Sequence, residues 1–460
     1  MSRPSGRRAL LGRRGVRAAG EAGEEPEHPG LVWLGAVALL ALLLAGLAIA
    51  TGTGSQPWQP ANRLRFSGGA LTGPLAGLGP DLSPRAFAVL LIVMLAGYLV
   101  IVALGGRLPR RLMLAVLVAL LVAFVLAPPL LSSDPFLYLT HARLGGIHSL
   151  DPYTNVPADA PGDPALALTS RRWHDKPSLY GPLFTAFTYA LVPLGVTGGF
   201  WALKVVAGVA SLGLVAIVWR CAHRLGRDPA AAVAFVGLNP LLLVWVVGGA
   251  HNDAVLALMV ATSVYLLIGL RPMLAGATLA AASAVKATAA LLVPFAILGE
   301  RRRVHAVVGL GAGLLLVLAV SLLLFGTDGT AGIASSLNSG QAYRSPQSVP
   351  YQVSALLGTR PVPDGVRPVG NAVAAMIVAL LLWRVWRGKD WIAAAGYALL
   401  AVFVATLWLR PWYVAWLLPL AALGQARWLR VGALGLTAFL VLGVPLGSSV
   451  REPLRLLLWG

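Results

Sequence analysis

Apolar runs of about 20 residues recur along this chain, separated by short clusters of Lys, Arg, Gly and Pro. About 20 residues is the length an α-helix needs to cross a hydrocarbon core. The first run covers about 31–50, and a polar stretch rich in Gly, Pro, Ser and Gln comes after it over about 51–84. Runs of about 86–104 and 112–131 come next, and after a long polar segment further runs fall at about 199–220, 230–248 and 254–270. The remainder are at about 304–325, 371–386, 391–408, 412–425 and 430–448. The stretch 272–299 is too long for one clean span and carries Lys286 near its middle. Two short helices meeting there are predicted, an arrangement in which membrane proteins build polar sites.

The pattern predicts an all-α, polytopic membrane protein of about 13 transmembrane helices, with the N-terminus cytoplasmic and the C-terminus outside. Long apolar runs without alternation exclude a membrane β-barrel. No soluble domain and no internal repeat stands out, so 31–460 reads as one transmembrane domain after a basic tail over 1–30. Within it, 132–198 is expected as a first external loop with interfacial helices and 326–369 as a second. The apolar stretch 180–194 is short and Pro-bounded. Were it to span, the next run would carry Arg220, His223, Arg224 and Arg227 outward, whereas an interfacial helix keeps them inside. The interfacial reading is adopted.

Composition sharpens this picture. The chain is 58% hydrophobic and 12% charged, roughly half the charged fraction of a soluble domain. A net charge of +19 raises the question of nucleic acid. Lys and Arg gather between apolar runs, as the positive-inside rule requires, and no nucleic-acid partner is expected. Six arginines and then Glu21, Glu24, Glu25 and Glu27 fill the first 30 residues. Without a small-residue cleavage site this reads as a disordered cytoplasmic tail and not as a signal peptide. The lone Cys221 can form no internal disulfide, and no Cys/His metal pattern exists, so neither a cofactor nor a metal is indicated.

Sorted by side, the polar motifs fall together. Asp134, His141, Arg143, Asp151, the turn His251-Asn252-Asp253, the loop with Gln341, Tyr343 and Arg344, and Arg410-Pro411-Trp412-Tyr413 are all expected outside, while the cytoplasmic turns hold little besides Arg and Lys. Asp134 sits where an apolar run meets water, and a carboxylate there is costly without a task or a partner. It suits a general base, and equally the cap of a helix beginning at Pro135. Asp151-Pro-Tyr-Thr-Asn155 reads as a turn and cap. His251-Asn252-Asp253 packs three polar groups at a helix start where one suffices; the surplus suits a network of sugar hydroxyls, or a metal. Lys286 is either a snorkelling charge or the counter-charge to an anion such as a phosphate. Arg344 and Arg410 suit the same task, since the guanidinium fork matches phosphate. Trp173, Trp412, Tyr413 and Trp416 line a sugar or lipid tunnel, or form the interfacial aromatic belt.

Ser133-Asp134 with Tyr138, the segment Gly145–Asn155 with its likeness to a "G-x-x-P-Y" turn, Lys176–Pro182 with Tyr-Gly-Pro, Asn239-Pro240, Gly249–Asp253, Lys286 and Arg410–Tyr413 recur in one order over about 130–420. In these the chain resembles the polytopic GT-C glycosyltransferases, and among them the polyprenol-phosphate-mannose-dependent α-1,6-mannosyltransferases of lipomannan assembly. The resemblance implies a GT-C type fold that transfers mannose from polyprenyl-phosphate-mannose to a growing α-1,6-mannan or lipoglycan acceptor at the outer face of the cell membrane, with inversion. It implies Asp134 as general base and Lys286, Arg344 and Arg410 around the donor phosphate. Tyr138, His141, Arg143, Tyr153, Tyr180, His251, Asn252, Asp253, Trp412 and Tyr413 would then bind substrate. The implied partners are a polyprenyl-phosphate-linked sugar donor, a glycan or lipoglycan acceptor, and membrane lipid. One departure is that Pro135 succeeds Asp134 where many such enzymes carry a second acid. The lack of a Gly-rich phosphate loop agrees with a lipid-linked donor. The alternatives are a GT-C enzyme using another lipid-linked sugar or a protein acceptor, and a lipid or sugar transporter or flippase. A transporter strings polar groups along a path through the membrane, whereas here they gather at one face.

Overall fold

The structure is a computed structural model that describes residues 29–52, 69–75, 77–340, 343–359 and 361–443. The expected tail before residue 29, half of the polar stretch 51–84, Gln341 and the end of the last expected span lie outside the described residues. Among the described residues the regular elements are helices. They are α1 (Pro29–Thr51), α2 (Pro84–Leu104), α3 (Arg110–Leu126), α4 (Asp134–Gly146), α5 (Pro182–Tyr189), α6 (Gly195–Arg224), α7 (Pro229–Gly237) and α8 (Asp253–Ile268). After these come α9 (Pro272–Val285), α10 (Val293–Gly299), α11 (Arg303–Gly340), α12 (Val349–Leu356), α13 (Val366–Trp386), α14 (Trp391–Ala405), α15 (Val414–Leu423) and α16 (Arg427–Gly443). Local chemistry sets several starts. Ser83, Asp228 and Asp390 each accept backbone N–H bonds at the heads of α2, α7 and α14, with Pro84 and Pro229 as first helical residues.

Five of these helices, α1, α2, α6, α11 and α13, are long and apolar enough to cross a membrane, and the molecule is a helical membrane protein. The count reaches six if α7 and the π-helical segment Leu241–Val247, bent by 49°, form one span. Pro240 explains that bend, since it withholds an N–H and pushes the preceding residue out of helical geometry. Other expected spans fall short of about 20 residues. The α8, α14 and α9 helices have 16, 15 and 14 residues, and α3 has 17, while α16 continues to the last described residue, Gly443. Lys286 marks a break, as expected: α9 ends at Val285, a six-residue 3-10 turn covers Ala287–Leu292, and α10 begins at Val293.

Of the two expected loops, one differs in substance from its sequence reading. The eight-residue α5 is about 12 Å long, too short to cross a bilayer, in keeping with an interfacial position. In the segment 326–369 the polar sequence suggests an open loop, yet α11 runs on to Gly340 through a kink at Gly326 (φ 64). The kink needs glycine, and beyond it the helix is held by close packing. A Cβ on Gly329 would run into the Asp151 carboxylate, and one on Gly332 would meet the Tyr153 carbonyl oxygen at 2.8 Å. The core lies around the π-helical segment, α8 and α15, where Leu241, Val244, Val247, Ala257, Leu417 and Leu418 are buried. By contrast α11 and α13 expose Leu316, Leu323, Met376 and Leu380 on apolar outer faces, which costs nothing in hydrocarbon. A cavity of about 870 Å3 between α13 and α14 is walled mainly by apolar side chains such as Ile377, Leu381 and Leu400, away from the polar cluster described next.

Candidate active site

Two chain segments meet to build the site. The segment 127–133 leaves α3 and delivers Asp134, while residues 248–252 leave the π-helical segment and deliver His251, Asn252 and Asp253. Leu130 N–H donates to the Gly248 carbonyl at 3.3 Å and ties the two together. Each segment contains a non-glycine residue in the left-handed region, Leu131 (φ 61) and Ala250 (φ 52). Such residues cost about 1–2 kcal/mol each and persist only where the surroundings impose them.

At the head of α4 the N-cap is Ser133, and Asp134 is the first residue of the helix. The Asp134 backbone N–H donates to Ser132 Oγ at 3.1 Å. Its carboxylate, 13% exposed, faces His251 Nδ1 at 3.7 Å. The Tyr138 hydroxyl lies 3.4 Å from the same nitrogen. The His251 ring stacks on Trp412 with centroids 3.7 Å apart. Burial, with the positive charges of Lys286 and Arg410 adding to it, lowers the His251 pKa well below the usual value, so the ring is a neutral imidazole.

Asp253 is fully buried. Its Oδ1 accepts from Lys286 Nζ at 2.8 Å and from Trp416 Nε1 at 2.8 Å. The Lys286 ammonium also lies 4.6 Å from the centre of the Tyr413 ring and 4.9 Å from that of Trp416. Lys286 therefore has its counter-ion within the protein. Next to this pair the Arg410 guanidinium lies over Trp412 at 4.6 Å and over Trp408 at 5.3 Å. Burial lowers its pKa to about 10, against the pull of Asp134, and it stays a cation at neutral pH. Five buried polar atoms here have no hydrogen-bond partner: His251 Nε2, both amide atoms of Asn252, Asp253 Oδ2 and Arg410 Nε. Buried polar atoms are nearly always paired, so five together leave an unusual amount of hydrogen-bonding capacity free at one place, which suits a polar ligand. Among the described residues no three His, Cys, Asp or Glu side chains converge as a metal site.

The other sequence candidates divide. Tyr180 packs edge-on to Tyr138 at 4.5 Å, and His141 lies behind Tyr180 at 6.3 Å. His141 Nε2 is 3.4 Å from the Lys176 carbonyl, and burial lowers the ring pKa to about 4. Three residues stand apart from the cluster and brace loops. Arg143 Nε binds both oxygens of Asp163, at 3.0 and 2.9 Å, and His148 joins them at 2.8 Å. Burial raises the Asp163 pKa, but those hydrogen bonds and the Arg143 charge outweigh it and hold the carboxyl below its usual range. Tyr153 donates to the Tyr180 carbonyl and to Thr185, both at 2.9 Å, supporting the segment that carries Tyr180. Arg344, 41% exposed, pairs with Asp364 at 2.9 Å and with the Val362 carbonyl at 3.2 Å. Sequence reasoning missed Asp163 and Trp408. An Asp-Pro pair in a polar loop carries no signal of its partner, whereas Trp408 stands two residues before Arg410 in an extended segment, a spacing that could have flagged it.

Residues 32–300 match the family model described as "Alpha-(1->6)-mannopyranosyltransferase, N-terminal domain", and residues 351–458 match the "MptB C-terminal domain". The chain is 27% identical over 368 residues to an "Alpha-(1->6)-mannopyranosyltransferase A" of Corynebacterium glutamicum, covering 71% of this chain and 74% of that one. It is 29% identical over 380 residues to the protein so named in Mycobacterium tuberculosis, covering 75% and 72%. To "Alpha-(1->6)-mannopyranosyltransferase B" of C. glutamicum it is 26% identical over 376 residues, covering 71% and 61%. No solved structure matches the chain.

Proposed function

The chain belongs to the α-(1→6)-mannopyranosyltransferase family and is a glycosyltransferase, and from that premise we propose its donor, acceptor, stereochemistry and base. Mannose leaves a polyprenyl-phosphate carrier and is joined to a hydroxyl of a growing α-1,6-mannan or lipoglycan at the outer face of the cell membrane. The shorter helices complete a multi-pass GT-C bundle with a cytoplasmic N-terminus.

Asp134 accepts the proton of the acceptor hydroxyl as that oxygen attacks the anomeric carbon, and the bond from that carbon to the phosphate oxygen breaks from the opposite face. Configuration inverts in one step. The leaving phosphodiester becomes a monoester with one more negative charge, which a fixed cation can stabilise as it develops. Arg410 suits this task best: its half-buried guanidinium fork has a buried, unpartnered Nε and lies over two tryptophans, whereas Lys286 and Arg344 are each held by a carboxylate. Lys286, 2.8 Å from Asp253, contributes at longer range. Arg344 would first have to leave Asp364. The unpartnered atoms of His251, Asn252 and Asp253 suit sugar hydroxyls, which both donate and accept. The scheme requires no cofactor, and transfer measured with and without a chelator tests whether a divalent metal takes part.

The single observation that carries the reading is the partly exposed Asp134 carboxylate beside the cluster of five unpartnered buried polar atoms. The test is transfer by purified protein from radiolabelled polyprenyl-phosphate-mannose to a short α-1,6-mannoside, with Asp134→Ala alongside. Transfer by wild type and none by the variant is expected. Equal transfer by both would remove Asp134 from the mechanism. No transfer by either, from any lipid-linked sugar, would move weight to a lipid transporter.

A further inference from the structure

Lys204, the tenth of the 30 residues of α6, is fully buried and lies outside the cluster described above. Its ammonium donates to the backbone carbonyls of Phe124, Val247 and Gly248, the last two at 3.4 and 3.0 Å. An ammonium has three N–H donors, and here each meets a carbonyl oxygen. A lysine inside a membrane bundle is costly and marks a task.

The three carbonyls share a character. Phe124 lies in the last turn of α3, and Val247 and Gly248 close the π-helical segment. Both are helix C-termini, where carbonyls lack intrahelical partners, though Val247 also accepts from Ala250 N–H at 3.2 Å, so a single donor group serves both ends. The segments beyond these two ends matter more. The α3 terminus leads through 127–133 to Asp134, and the π-helical terminus leads within a few residues to His251. The Gly248 carbonyl is shared: it accepts from Lys204 and also from Leu130 N–H, at 3.3 Å. The packing there is close, since a Cβ on Gly248 would meet Leu130 Cδ1 at 3.0 Å. Lys204 thus clasps the two stems on which Asp134 and His251 stand.

We propose that Lys204 is a positioning residue, which sets the separation between Asp134 and His251 by holding these two helix ends together. Its role depends on Asp134 being the base. The left-handed Leu131 and Ala250, one on each stem, fit this reading, because strained residues survive only where the surroundings hold them. Without the clasp the stems relax, and the carboxylate shifts relative to the acceptor oxygen.

The test compares Lys204→Met, which removes every donor, and Lys204→Gln, which keeps two, with wild type and Asp134→Ala. Transfer is normalised to folded protein, and the Kd for polyprenyl-phosphate-mannose is measured by equilibrium binding. The expected result is a kcat about 10- to 100-fold lower per folded molecule for Lys204→Met and a smaller loss for Lys204→Gln, as for a displacement of about 1 Å at a reacting centre. Donor Kd and acceptor KM should stay within about threefold. A purely structural lysine lowers the folded fraction but leaves kcat per folded molecule at the wild-type value, and that result overturns the proposal. If Lys204→Met does not fold, Lys204→Gln decides. If neither folds, the lysine serves assembly of the bundle and the proposal falls. Wild type without any transfer would refute the function itself, whereas active Lys204 variants beside an inactive Asp134→Ala would refute only this role.

Discussion

Replacing Lys286 by methionine would strand Asp253. The carboxylate has no exposed surface and would keep only the Trp416 N–H at 2.8 Å, with nothing on Oδ2. Removing one partner of a buried ion pair costs about 3–5 kcal/mol, mostly the penalty of the charge left behind. The lysine side chain is only 16% exposed, so solvent would soften this little. Loss of the cation over Tyr413 and Trp416 adds about 1 kcal/mol. Changing Asp253 to asparagine in the same molecule removes the stranded charge, and the new amide oxygen can still accept from Trp416. The double variant should therefore be more stable than Lys286→Met alone by about 2–3 kcal/mol. The assay is a double-mutant cycle read by unfolding in one detergent at fixed pH. A double variant no more stable than Lys286→Met would show that the two residues act independently and refute the reasoning. The same proteins, titrated with donor, locate the phosphate: a donor KM unchanged in the double variant would assign Lys286 to Asp253 alone and leave the phosphate to Arg410.

Other consequences can be checked directly. Arg410→Lys keeps the charge but loses the planar fork between Trp408 and Trp412, so donor KM should rise about tenfold or more with acceptor KM unchanged; equal donor kinetics would remove the arginine from phosphate binding. His141 has a folded pKa of about 4, below its ordinary 6.5. Between those values the unfolded chain takes up the proton first, so the stability is present above about pH 6.5 and is lost as pH falls towards 4, by at most about 3 kcal/mol. Melting of wild type and His141→Gln between pH 7.5 and 4.5 should show a steeper fall for wild type, and parallel curves would contradict it. Leu356 is 86% exposed at the end of α12. In a Cys221→Ser background, Leu356→Cys should react with an impermeant maleimide added outside intact cells, and labelling only after lysis would reverse the proposed orientation.

Much of the scaffold is written in one-dimensional pattern. The apolar runs that became α1, α2, α6, α11 and α13 are legible because burial in hydrocarbon depends on length and composition, which a sequence states outright. The break at Lys286 and the start of α4 at Asp134-Pro135 are legible too, since a charge and a proline act on their own backbone. The candidate site residues Asp134, Tyr138, Tyr180, His251, Asn252, Asp253, Lys286, Arg410, Trp412 and Tyr413 stand out as polar or aromatic groups at or near the ends of apolar runs. That is a local property.

What the sequence could not determine is who faces whom. Arg143 and Arg410 look alike in the chain, yet one pairs with Asp163 in a loop brace and the other lies over two tryptophans at the site. Lys286 reads as a charge awaiting an anion until Asp253, 33 residues away, takes it. Lys204 lies within a long apolar helix and shows no purpose until three carbonyls from α3 and the π-helical segment converge on it. The physical reason is common to all of these. Burial by lipid is a property of a segment, whereas pairing of polar groups depends on distances of about 3 Å between segments far apart in the chain, and only the packed tertiary structure sets those distances.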